Sequence, residues 1–193
     1  EISNMIQDIE RQFGRLDILV NNAGVTRAAD IMELTEADWD KIHRVNAKGV
    51  FFCLQNAAKQ MIEQGNGGRI INIASIAGRG FSGTSNAAYS ASKGAVISLT
   101  KTAAQQLAKH DITVNSICPG VTTTEIVEGL VKTRAEARGI SVEAMVKEMT
   151  DNIPLKRANE PEDIAAMAIF LASSGARNIT GQSYNVDGGL VTS

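Results

Sequence analysis

The chain has 193 residues, 44% of them hydrophobic and 21% charged, with a formal net charge of -2. That is enough apolar sequence for one sizeable core, and the lack of a basic stripe argues against a nucleic-acid partner. No apolar run reaches the ~18 residues that span a bilayer, so no membrane partner is expected. Cys53 and Cys118, far apart and in apolar contexts, read as buried free thiols of a reduced cytoplasm rather than as a disulfide or a metal site.

Glu1-Ile2-Ser3-Asn4-Met5-Ile6 reads as the interior of a helix, and without a start Met it suggests sequence upstream. Ile2, Met5, Ile6, Ile9 and Phe13 keep helical spacing up to a C-capping Gly14. Leu16–Val20 is a short apolar run, consistent with a buried parallel strand. It leads into Asn21-Asn22-Ala23-Gly24, a turn at a strand's carboxyl end, where open α/β sheets hold ligands; a plain loop is the other reading. Thr35 and Asp38 form a capping-box-like helix start, and the helix extends to about Glu63 with an interruption at Val45–Val50. Asn46 and Gly49 are poor helix residues there. Asn46 either bonds backbone carbonyls at a kink or holds a water in an active site.

Gly65-Asn66-Gly67-Gly68 is a turn. Arg69–Ala74 is the next buried strand. Ser75 at its carboxyl end is either a cap or a site residue, and a loop rich in Gly, Ser, Asn and Thr follows. A long Ala-rich helix then covers Asn86–His110, apolar on more than one side, as suits packing on a sheet and on a partner subunit. Tyr89 and Lys93 lie four residues apart on one of its faces. An ammonium beside a phenol favours the phenolate, so Lys93 is expected to lower the Tyr89 pKa from ~10 toward the working pH, as acid–base chemistry requires. An ordinary helix-surface pair has the same spacing, so the pair alone is a weak signal.

Ile112–Cys118 is a third strand, broken by Pro119-Gly120, after which Thr122, Thr123 and Thr124 offer hydroxyls. Ile126, Val127, Leu130 and Val131 form one amphipathic pattern, and Val142, Met145, Val146 and Met149 another. Two helices over about 125–153 suit a substrate lid, or are ordinary surface helices. Asn159-Glu160-Pro161-Glu162-Asp163 starts a helix that continues through Leu171, and Ser183–Val186 is a last strand before the turn Asp187-Gly188-Gly189. Trp39 reads as a helix anchor, and His43 and His110 as surface residues. No repeat or linker interrupts the alternation of helices and strands, which implies a single α/β domain over 1–193 with a parallel, doubly wound sheet.

With these elements in order, the sequence resembles the short-chain dehydrogenase/reductase family along essentially its whole length. The matches are Asn21-Asn22-Ala23-Gly24, Asn46 in Val-Asn-Ala-Lys-Gly-Val, Ser75 after Ile-Asn-Ile-Ala, Tyr89-x-x-x-Lys93, Pro119-Gly120, and Thr180-Gly181-Gln182 with Val186-Asp187-Gly188-Gly189. The resemblance implies a Rossmann-like fold and an NAD- or NADP-dependent oxidoreductase, cytoplasmic and without a metal. The segment at 125–153 inclines the reading to a polyol or diol dehydrogenase that interconverts a secondary alcohol and a ketone. A 3-oxoacyl-carrier-protein reductase is the alternative, and a basic patch of Lys132, Arg134 and Arg138 would support it. The implied catalytic set is Asn46, Ser75, Tyr89 and Lys93. Tyr89 exchanges the substrate proton, Ser75 steadies the substrate oxygen, Lys93 grips the nicotinamide ribose, and Asn46 holds a water. Asn22, Ala23 and Gly24 are implied along the adenosine-side ribose, and Pro119, Gly120, Thr122 and Thr124 at the nicotinamide end. A homotetramer or homodimer is implied through the helices at Val50–Met61 and Ala95–Leu107.

One departure bears on activity. The family's opening strand and Thr-Gly-x-x-x-Gly-x-Gly phosphate loop have no match here, nor does the residue that chooses NAD or NADP. Gly65–Gly68 cannot substitute, because it leads into a strand rather than out of one. The N-terminal β-α-β-α-β portion of the family pattern is missing. Four strands are therefore expected in sequence order, with Leu16–Val20 as an exposed edge. The 193 residues alone are expected to bind dinucleotide poorly and to be inactive, and a non-catalytic oligomerising module is the reading of another class.

Overall fold

The structure, a computed structural model, describes residues 2–81, 83 and 85–192; Glu1 lies outside the described residues, as does the side chain of Ile126. Among the described residues four strands form one parallel sheet, β1 (Ile18–Asn21), β2 (Gly68–Ile73), β3 (Ile112–Pro119) and β4 (Ser183–Val186), in the order β1-β2-β3-β4. The register pairs Val20 with Ile71, Ile71 with Asn115, and Ile117 with Tyr184. Parallel neighbours need crossovers. These are α2 (Glu36–His43) and α3 (Val50–Gln64) between β1 and β2, α4 (Ala87–Leu107) between β2 and β3, and α5 (Glu125–Arg138), α6 (Val142–Asp151) and α7 (Pro161–Ala172) between β3 and β4. α1 (Ile2–Phe13) precedes them.

The two central strands carry the core. Ile70 and Val114 face Leu54 and Met61 of α3 and Ala103 and Ala104 of α4 on one side of the sheet. Ile71 and Ile117 face Leu171 of α7 on the other. A sheet covered on both faces is what the unbroken apolar runs of β2 and β3 require. β1 lies at the edge, and its Ile18 and Val20 are 46% and 45% exposed.

Several boundaries moved for identifiable reasons. β1 starts later than Leu16 because the Leu16 backbone is held by a side chain instead of a strand. Its N–H donates to Gln64 Oε1 at 2.7 Å, and Gln64 Nε2 donates to its carbonyl at 3.0 Å. The expected interruption of the second helix is a π-helical turn, Arg44–Gly49, between α2 and α3. α2 begins at the expected capping box: Asp38 N donates to the Thr35 hydroxyl at 3.2 Å, and Thr35 N to the Asp38 carboxylate at 3.0 Å. Cys118 is buried, but Cys53 is only partly so, because it sits on the outward flank of α3. Trp39 anchors no core; it stacks on His43 with ring centroids 3.9 Å apart and stays half exposed.

Candidate active site

The carboxyl ends of β1, β2 and β3 open into one cleft of about 490 Å³. Ser75 follows β2. Its hydroxyl accepts from Ala77 N at 3.1 Å and caps a 3-10 turn at Ile76–Arg79, so the capping role and the cleft position coexist. That turn presses on α4 at Gly78, where a Cβ would lie 2.6 Å from the Lys93 carbonyl carbon. Only glycine permits this approach, which sets Ser75 beside the first turn of α4.

The start of α4 is fixed by Asn86, 4% exposed. Its Oδ1 accepts from Tyr89 N at 2.8 Å, an N-cap, while its Nδ2 donates to the Arg27 carbonyl at 2.7 Å. Tyr89 and Lys93 both line the cleft, one turn apart, with Lys93 Nζ 5.7 Å from the Tyr89 ring centroid. Lys93 is 3% exposed and donates to the Ile73 carbonyl at 2.7 Å. Burial pushes its pKa down to about 8, with the nearby Cys118 opposing the shift.

The expected effect of Lys93 on Tyr89 is contradicted. Burial pushes the Tyr89 phenol above its ordinary value, and the Ser75 hydroxyl offsets only part of this. The ammonium lies over the face of the ring and is bonded to a backbone carbonyl, so it does little for the phenol oxygen, and desolvation of the phenolate dominates.

Asn46 is fully buried behind the cleft. Its Oδ1 accepts from Val25 N at 2.8 Å, and its Nδ2 donates to the Val25 carbonyl at 2.9 Å and to Ser92 Oγ at 3.2 Å. It thereby ties the β1 turn to α4, and the π-helical turn around it is a form common at functional sites. Asn22 and Gly24 line the cleft, and a Cβ on Gly24 would sit 3.5 Å from Lys93 Nζ and 3.7 Å from Asn46 Oδ1. Ala23 points away and is exposed. Pro119, Gly120, Thr122 and Thr124 line the side formed by β3. Two of their hydroxyls also serve the backbone: Thr122 donates to the Gly120 carbonyl at 3.4 Å, and Thr124 caps α5 by accepting from Val127 N at 3.4 Å.

A smaller cavity of about 70 Å³ adjoins Ser75 and Tyr89 and is closed by Thr26, Ser85, Arg134 and Met149. Sequence reading did not assign Thr26, Ser85 or Asn86 to the site, and it named Arg134 only as part of a basic patch with Lys132 and Arg138. Asn86 carried a usable signal, an N-capping residue directly before a long helix. The others come from segments far apart in the chain, and no local pattern marks them. The basic patch of Lys132, Arg134 and Arg138 does not form as a unit: Arg138 pairs with Glu148, while Arg134 donates to the Gly83 carbonyl at 3.0 Å. Among the described residues, no group of three or more His, Cys, Asp or Glu is placed to hold a metal ion, and no helix is long and apolar enough to cross a membrane.

A family model described as enoyl-(acyl carrier protein) reductase matches residues 1–191. A 3-oxoacyl-[acyl-carrier-protein] reductase of Staphylococcus epidermidis is 42% identical over 191 residues, 98% of this chain and 72% of that protein. The crystal structure of sorbitol-6-phosphate 2-dehydrogenase from Erwinia amylovora matches with a TM-score of 0.93 at 36% identity, covering 100% of this chain and 75% of that one. The structure of an NAD+-bound xylitol dehydrogenase matches with a TM-score of 0.89 at 33% identity, covering 97% of this chain and 74% of that one. The chain belongs to the short-chain dehydrogenase/reductase family, a family of oxidoreductases.

Proposed function

We propose that this site interconverts a secondary alcohol of polyol or diol type and a ketone, with NAD or NADP as the redox partner. The observation that carries the reading is the shared cleft of Ser75, Tyr89 and Lys93, a phenol and a hydroxyl side by side above a buried lysine that, among the described residues, pairs with no carboxylate. The cleft suits a nicotinamide dinucleotide: at Gly24 no side chain stands in front of Lys93 Nζ, which a Cβ there would meet at 3.5 Å, and the carbonyls, amides and hydroxyls around it match ribose and amide groups. Gly24, Asn22 and Lys93 would hold its ribose portions, and Pro119, Gly120, Thr122 and Thr124 its nicotinamide end. Bound there, it supplies the acceptor or donor of hydride.

The chain's own residues handle the proton. Tyr89 exchanges it with the substrate oxygen, and Ser75 hydrogen-bonds that oxygen as charge develops. A phenol whose pKa burial has raised is a competent acid for ketone reduction. For alcohol oxidation it needs its phenolate stabilised, and Lys93 is the cation at hand. Lys93 reaches the phenol or a ribose hydroxyl by leaving the Ile73 carbonyl. Asn46 positions this centre through Val25 and Ser92. α5 and α6 cover the substrate side as a lid.

The likeness to two polyol dehydrogenase structures supports the polyol reading. The identity to the Staphylococcus epidermidis reductase supports a second one, reduction of a 3-oxoacyl thioester. A homodimer or homotetramer is supported by the outward Phe51 and Phe52 of α3, 40% and 39% exposed. Initial rates over a panel of polyols, diols and 3-oxoacyl thioesters, each with NAD and NADP, separate the readings. Turnover of thioesters alone removes the polyol assignment, and turnover of none favours the non-catalytic module.

A further inference from the structure

Among the described residues, the smaller cavity is lined by one charged side chain, Arg134. Ser75 and Tyr89 line both it and the main cleft, so the cavity opens from the reacting end of the site. Its far wall is α5, through Leu130, Val131 and Arg134, with Met149 of α6 behind. Arg134 is half-buried and, among the described residues, has no carboxylate within 4.0 Å, whereas Arg138, one turn further along α5, is exposed and pairs with Glu148. One of its five N–H donors goes to the Gly83 carbonyl at 3.0 Å, which steadies the guanidinium at the cavity wall; among the described residues the others have no protein acceptor. Thr26 and Ser85, which also line the cavity, share a hydroxyl–hydroxyl hydrogen bond of 2.6 Å.

A half-buried guanidinium without a counter-charge attracts an anion more strongly than an exposed one, and its planar fork matches a carboxylate or phosphate. The volume of about 70 Å³ is roughly the share of two liquid waters. That is room for a compact anionic group near the reacting carbon and too little for a long acyl chain. We propose that Arg134 forms an anion subsite, and that the preferred substrate is a short hydroxy compound or ketone carrying a carboxylate or phosphate, with Thr26 and Ser85 meeting a substrate hydroxyl. The proposal rests on the assignment of Ser75 and Tyr89 as the reacting centre.

The test uses the full-length enzyme, its Arg134→Gln variant, which keeps a donor for the Gly83 carbonyl and removes the charge, and its Arg134→Lys variant. Probes are sorbitol, sorbitol 6-phosphate and gluconate. In the wild type, kcat/KM for at least one anionic probe should exceed that for sorbitol roughly tenfold or more. Arg134→Gln should bring the ratio to near one, and Arg134→Lys should retain part of it. A ratio near one in the wild type, or one that Arg134→Gln leaves in place, overturns the proposal. Thermal-shift titration with the same probes reads binding without turnover. Stabilisation by an anionic probe that is lost in Arg134→Gln upholds the subsite even if no probe reacts, a result that would count against the polyol reading alone. No stabilisation together with no turnover overturns the subsite.

Discussion

Replacing Lys93 with Met removes a buried ammonium while keeping length and apolar bulk. Lys93 is 3% exposed, and burial takes its pKa from an ordinary 10.5 to about 8. At 1.36 kcal/mol per unit, that drop of roughly 2.5 units corresponds to about 3 kcal/mol that the charged form costs the fold. The folded chain releases this proton near 8 and the unfolded chain near 10.5, so between those values the unfolded chain binds more protons and stability rises with pH. Below 8 the full cost is present. The groups facing Lys93 do not cancel the effect: the Tyr89 phenol and the Cys118 thiol are both pushed up by burial and keep their protons longer. Near neutral pH, Lys93→Met should therefore be as stable as the wild type or more so, because the relief of about 3 kcal/mol opposes about 1–3 kcal/mol for leaving the Ile73 carbonyl unpaired. As pH is raised from about 8 to about 10, the wild type should gain on the variant by about 2–3 kcal/mol. Urea unfolding of both proteins across that range measures the difference. A difference that stays flat refutes the burial argument, and one that moves the other way means that a partner stabilises the ammonium.

Asn86→Ala removes the cap on Tyr89 and the link to Arg27, and should cost about 1–3 kcal/mol by urea unfolding, with a fall in kcat; a change in neither would remove Asn86 from the site. Gly78→Ala places a methyl 2.6 Å from the Lys93 backbone and should lower stability by about 1–3 kcal/mol by thermal unfolding. An unchanged midpoint would show that the turn is not pinned to α4. Tyr184→Phe leaves Tyr89 as the one remaining tyrosine of the two. Ultraviolet titration of that variant without dinucleotide should show a phenol that ionises above its ordinary value; ionisation at or below that value would restore Lys93 as its controlling neighbour.

What the sequence disclosed, and what it did not, follows from the range of each interaction. β4 has the expected bounds because Ser183–Val186 lies between glycine-rich turns, and the break in the second helix was legible because Asn46 and Gly49 are intrinsically poor helix residues. The start of β1 was misjudged because a glutamine 48 residues away takes the Leu16 backbone. The spacing of Tyr89 and Lys93 established that they are neighbours, but not where the ammonium points or how dry the phenol is, and those decide the direction of the Tyr89 shift. The Thr26–Ser85 pair spans 59 residues, and Arg134 reaches the cavity only through the fold of α5 over the sheet. Such convergence leaves no periodic trace.

The central claim is that Tyr89 carries the proton between solvent and substrate oxygen. The direct test is the steady-state rate of the full-length Tyr89→Phe enzyme on the best substrate found for the wild type, read by nicotinamide absorbance, with circular dichroism as a check on the fold. Loss of the proton donor should lower kcat by roughly 100- to 10,000-fold with the fold intact. A folded variant whose kcat stays within about threefold of the wild type would contradict the account, since acid–base catalysis accounts for far more than that.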